Sequence, residues 1–189
     1  PMPELLVSIE RKDFNVGVNG VLRYAPIIPV SLENLERILI DKNPEFLRPI
    51  ESRKMAELLG VESVHLLAPI YGPSGTFKDT EAAVVIAKCL DWKLKKWLSW
   101  HSTGNTARAY REYAIRGEFQ SYSHFPLNCI NKFKGVKKDP NNLLIAYDGP
   151  FQDISVIAKD RAKYNNIINT HIPQNVFSMS IINVPPLFS

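Results

Sequence analysis

Between residues 61 and 164, short apolar runs alternate with helical stretches, and glycine, proline or small polar residues mark most of the changes from one to the other. Chains built this way fold into α/β layers, because a strand, a helix and the next strand join most readily through a right-handed crossover onto a parallel sheet. The pattern predicts strands at 61–67, 96–100, 119–125 and 143–147, and helices at about 77–90, 105–116 and 154–164. The expected fold class is therefore α/β: a small three-layer domain with a parallel sheet of about three or four strands and helices on both faces.

Outside this span the pattern is weaker. Residues 1–30 read as irregular, interrupted by Gly17, Gly20, Pro26 and Pro29. Ser31 then has the character of a helix N-cap, with Leu32, Leu35, Ile38 and Leu39 following at helical spacing. A second helix is expected at 51–59, stopped by Gly60. After Tyr164 asparagines and prolines dominate, and a last strand at 176–182 is left open. The chain thus divides into an N-terminal arm and helix (1–50), an α/β domain (51–165) and a poorly specified tail (166–189).

Composition narrows the function classes. A net charge of +4 from 23 basic and 19 acidic residues is too mild to call for nucleic acid. The basic stretches 93–96 and 132–138 read as solvated faces beside apolar elements. No apolar run approaches the roughly 18 residues of a membrane span, and residues 1–12 lack the apolar core of a signal peptide. Cys89 and Cys129 form no C-x-x-C pair, so a zinc ribbon or thioredoxin-type motif is excluded, and two reduced thiols in a cytoplasmic protein are expected.

Two strand–loop–helix junctions carry chemistry. The first is Gly72-Pro73-Ser74-Gly75-Thr76-Phe77-Lys78-Asp79 and the second His101-Ser102-Thr103-Gly104-Asn105-Thr106. In open α/β sheets ligands bind beyond the carboxyl ends of strands, where loops enter helices and backbone N–H groups favour anions. Lys78 is electrostatically odd at a helix start, where the field disfavours a second cation and promotes the neutral amine that carbonyl chemistry needs. The other reading is an exposed lysine whose charge Asp79 offsets. The second loop suits a carboxylate, or is an ordinary capped helix start. His101 reads as a pocket acid or as a strand-end residue.

Together the loops resemble those of the fold-type II pyridoxal-phosphate enzymes, the tryptophan synthase β-like superfamily. That family pairs a [PS]-[ST]-G-[ST]-F-K-D loop with an S-x-G-N-T loop. The resemblance is nearest to threonine synthase and cysteate synthase. It extends to Gly20–Tyr24 with Ile28-Pro29-Val30, to Ala56–Val61, and to Asp148–Asp153, and Asn105–Tyr110 is closer to the cysteate branch. Departures are Thr80 after the Lys-Asp pair, Leu66-Leu67-Ala68 closing the preceding strand, and His101 before the second loop.

The resemblance implies that Lys78 is the Schiff-base lysine and the acid/base at the substrate α-carbon. It implies that Asn105 bonds the cofactor's phenolic oxygen, and that Ser102, Thr103, Gly104 and Thr106 line the pocket for the substrate carboxylate. The implied cofactor is pyridoxal 5'-phosphate, with no metal, and the implied partner is a small amino-acid substrate. The implied reaction is β-elimination or replacement on an O-phosphorylated amino acid.

The family also uses a glycine-rich phosphate loop and a large domain. None of the nine glycines here is adjacent to another, and no G-x-G occurs. The chain is therefore expected to hold the cofactor weakly or not at all, and to associate with itself or with a partner chain supplying the large domain. The alternatives are a truncated non-catalytic homologue, or one subunit of a split enzyme.

Overall fold

The helix starts follow from local chemistry. In the computed structural model, which describes residues 20–39, 49–67, 72–94, 97–164 and 168–169, Ser31 caps α1 (Leu32–Ile38) by accepting the backbone N–H of Asn34. Leu35 and Ile38 turn inward and are fully buried. They belong to the core beside α3 (Asp79–Asp91), against which α1 packs. Asp91 at the end of α3 accepts bonds from the Ser31 N–H (2.9 Å), the Ser31 hydroxyl (2.5 Å) and the Asn34 amide (2.8 Å), which pins the two helices together. Where an irregular stretch is expected, residues Gly20–Ile27 instead form a 3-10 helix that buries Val21 and Leu22. α2 (Arg53–Leu59) ends at Gly60, whose φ of 64° is the left-handed conformation that glycine adopts without steric cost.

The strand expected at 61–67 is corrected in extent and in partner. Only β2 (His65–Leu67) is extended, and it pairs antiparallel with β1 (Pro49–Glu51) in a separate two-stranded sheet. His65 and Leu66 are exposed, as are all three residues of β1, so this ribbon is surface structure and no part of the parallel sheet.

The main sheet comprises β3 (Leu98–His101), β4 (Ser121–Pro126), β5 (Asn142–Tyr147) and β6 (Ile168–Asn169), in the order β5-β4-β3-β6, all parallel. β6 comes from the stretch that the sequence leaves unpatterned; residues 176–182 lie outside the described residues. Side chains alternate across a strand, and β3 uses both faces. Trp100 packs on Tyr110 of α4 (Asn105–Arg116), and its neighbour His101 packs on Phe151 of α5 (Phe151–Tyr164). The two helices therefore cover opposite faces, which gives the three layers. α3 packs on α4, and both helices bring fully buried alanines to the core, Ala82 and Ala83 from one and Ala107 and Ala114 from the other.

Arg111 is buried on α4 with its guanidinium donating to the carbonyls of Asn142 (2.9 Å) and Lys137 (2.7 Å), which holds the segment leading into β5 and the start of β5 against the helix. No helix among the described residues is long and apolar enough to cross a membrane. Among the same residues no group of three histidine, cysteine or acidic side chains could hold a metal.

The chain runs from β3 to β4 and β5 on one side, then returns through α5 to β6 on the other. The carboxyl end of β3 is thus a topological switch point, the place where open α/β sheets bind ligands.

Candidate active site

The loop at that switch point is Ser102-Thr103-Gly104, leading into Asn105 at the start of α4. Ser102 is buried; its N–H continues the sheet to the carbonyl of His124 (2.9 Å), and its hydroxyl accepts the N–H of Gly104 (3.1 Å). These two N–H groups are therefore already engaged, contrary to the expectation of a loop of free donors. Gly104 has φ 145°, a backbone conformation that favours glycine, and the flexible Lys132 side chain lies over it. Thr103 and the Asn105 side chain are exposed. Thr106 is buried, and its hydroxyl has no hydrogen-bond partner among the described residues. A buried unpaired hydroxyl is costly and rare.

The lysine loop is held by its own side chains. Gly75 N–H bonds the Gly72 carbonyl (2.9 Å), closing a turn. The hydroxyls of Ser74 and Thr76, both buried, lie 2.9 Å apart, and the Thr76 oxygen also accepts the N–H of Lys78 (3.3 Å). The Asp79 carboxylate accepts the N–H of Ser74 (3.2 Å). Asp79 is fully buried, and burial pushes its carboxyl above the usual range against the lowering effect of the Ser74 bonds. The helix begins two residues later than expected, so Lys78 is the N-cap of α3 and not a member of its first turn.

The reading of Lys78 as an exposed lysine balanced by Asp79 is corrected. Lys78 is only 7% exposed, and its Nζ lies 2.5 Å from Oε2 of Glu81. Asp79 faces Ser74 instead. The other oxygen of Glu81 accepts the hydroxyl of Tyr110 on α4 (3.0 Å). Burial, reinforced by the Glu81 charge, raises the Tyr110 phenol well above its ordinary range and keeps it a proton donor. Glu81 and Tyr110 are not among the residues singled out from the sequence. The signal for Glu81 was an acid three residues after the lysine, on the same helix face; Tyr110 carried none.

The two loops meet. Thr76 donates across to the carbonyl of Asn105 at 3.5 Å, and α3 and α4 pack side by side behind them. Lys78 and Asn105 thus belong to adjoining loops, although the strands before those loops are not neighbours in one sheet. His101 is buried at the strand end with its ring against Phe151. A surface cleft lined by Leu90, Leu94, Glu118, Phe119 and Asn141 opens at the opposite, amino-terminal edge of the sheet, away from both loops.

Comparison with solved structures places the fold. The apo diaminopropionate ammonia lyase of Escherichia coli superposes with a TM-score of 0.61 at 13% identity, over 80% of this chain and 49% of that one. Maize serine racemase gives 0.56 at 16% identity, over 83% and 51% respectively. The E. coli lyase in complex with an aminoacrylate-PLP azomethine reaction intermediate gives 0.57 at 12% identity, over 82% of this chain and 48% of that one. The fold is thus that of the fold-type II pyridoxal-phosphate enzymes, and the chain spans about half the length of these structures. No protein-family model matches the chain, and no curated protein does.

Proposed function

We propose that this chain forms the small-domain part of a pyridoxal-phosphate-dependent enzyme acting on an amino acid by elimination or replacement. The observation that carries the reading is the meeting, through Thr76 and Asn105, of a buried lysine loop with a polar loop at the topological switch point. The described residues fit the reactive end of the cofactor: a primary amine, an exposed amide at the adjoining helix start, and an unpaired buried hydroxyl on Thr106. They include no glycine-rich cradle for its phosphate.

When bound, the cofactor supplies an aldehyde and a conjugated ring that withdraws electrons from the substrate α-carbon. Lys78 would hold it through Nζ and move a proton at that carbon. Asn105 would orient the ring by a hydrogen bond to its phenolic oxygen. Thr103 and Thr106, with the N–H groups that open α4, would bind the substrate carboxylate. Ser102 and Gly104 would shape that loop, since their N–H groups are bonded internally.

Within this class the reading is threonine synthase-like or cysteate synthase-like, with an O-phosphorylated amino acid as substrate; the motif order supports it. A non-catalytic homologue is the second reading; no G-x-G occurs within these 189 residues.

Titration of the purified chain with pyridoxal 5'-phosphate, followed by borohydride reduction and peptide mapping, tests the proposal. A single cofactor adduct on Lys78, lost in Lys78→Ala, supports it. Scattered labelling of surface lysines, unchanged in that variant, refutes it. Turnover of O-phosphoserine or O-phosphohomoserine by the chain mixed with the cofactor and left unreduced would exclude the non-catalytic reading.

A further inference from the structure

We propose that Glu81, fixed by Tyr110, is the positioning residue for the Lys78 amine, holding it as an ion pair and setting its reactivity toward carbonyl groups; as a functional device this rests on the cofactor reading above. Three observations converge. The Lys78 and Glu81 side chains are both about nine-tenths buried (9% and 11% exposed), so the pair is largely shielded from water. The Glu81 carboxylate is held at both ends, by Nζ of Lys78 at 2.5 Å and by the Tyr110 hydroxyl at 3.0 Å, so its direction is fixed. Tyr110 is itself only 2% exposed and packs against Trp100 of the central strand, so the anchor of the chain is the sheet. Asp79, the other acid in the first turn, is turned toward Ser74.

An ammonium paired with a carboxylate is not a nucleophile, so Nζ must leave Glu81, or pass it a proton, before it can bond to carbon. Glu81 holds this shielded amine by charge and geometry together, and a neutral side chain in its place no longer ties Nζ to a carboxylate. Removing the Glu81 charge should therefore make Lys78 more reactive.

The test compares wild type with Glu81→Gln and Tyr110→Phe. Each chain is treated with formaldehyde and cyanoborohydride at neutral pH, and the methylation rate at Lys78 is read by peptide mapping against the exposed Lys54. Glu81→Gln should raise the Lys78 rate roughly fivefold or more, and Tyr110→Phe about twofold, with Lys54 unchanged. Tyr110→Phe removes one oxygen, keeps the ring on Trp100, and carries the test if the glutamine variant does not fold. A Lys78 rate equal to or below wild type in the variants overturns the proposal. A parallel set with pyridoxal 5'-phosphate and borohydride separates the two readings. If the phosphate aldehyde never labels Lys78 while formaldehyde behaves as expected, the ion-pair role stands and the cofactor reading falls. If it labels wild-type Lys78 but the formaldehyde rates do not change, the reverse holds.

Discussion

Gly72 lies against the carboxylate of Asp79, so closely that a Cβ on Gly72 would come within 2.1 Å of Oδ2. The lysine loop is thus wrapped around a buried acid at the start of α3, and its first glycine is there because no side chain fits. Gly72→Ala should destabilise the chain by about 1–3 kcal/mol through overpacking, read as a lower urea midpoint with an unchanged slope. An alanine variant as stable as wild type would show that the contact relaxes freely.

Asp91 provides an acid-sensitive tie between α1 and α3. Its desolvation is outweighed by the bonds from Asn34 and Ser31 and by the nearby Lys88, which together hold the carboxyl below its ordinary 3.8. A depressed carboxylate contributes stability that is fully present above the unfolded value and is lost as pH falls through the lower folded value. Asp91→Ala should cost about 1–2 kcal/mol at pH 7. The gap between variant and wild type should narrow below 3.8. Urea unfolding at neutral pH and in acid measures both.

The two thiols should differ sharply. Cys89 is 2% exposed in α3, and burial pushes its thiol up to about 12, so almost none is thiolate at neutral pH. Cys129 is partly exposed in the 3-10 connection after β4. A thiol-disulfide reagent should titrate one group in the native chain, mapped to Cys129, and the second only on unfolding. Rapid modification of Cys89 in the native state would contradict the packing of α3.

Arg111 serves structure. Its buried guanidinium satisfies the carbonyls of Asn142 and Lys137, and Arg111→Met would leave both without that donor. A loss of about 2–4 kcal/mol is expected, detectable as a fall in thermal midpoint. Labelling of Lys78 by small aldehydes should stay near wild type below the transition.

What the sequence determined by itself is what near neighbours decide. The Ser31 cap, the glycine stop at Gly60, and the helix from Asn105 to Arg116 depend on groups within about four residues of one another. The two chemistry-bearing loops were legible for the same reason, since glycine, proline and hydroxyl residues act on their own backbone. The start of α3 was misplaced by two residues because Asp79, reaching back to Ser74, holds Lys78 at the cap.

Only the tertiary structure decided how these pieces pair. β2 turned to β1 instead of the main sheet, and β6 joined β3 from a stretch with no strand signal. Strand pairing is set by partners dozens of residues away, and short apolar runs do not encode which partner wins. The site shows the same division. Lys78 and Asn105 stood out in the sequence, but Glu81 and Tyr110 gained their roles when α3 packed on α4. A hydrogen bond across 29 residues is a property of that packing, not of local spacing.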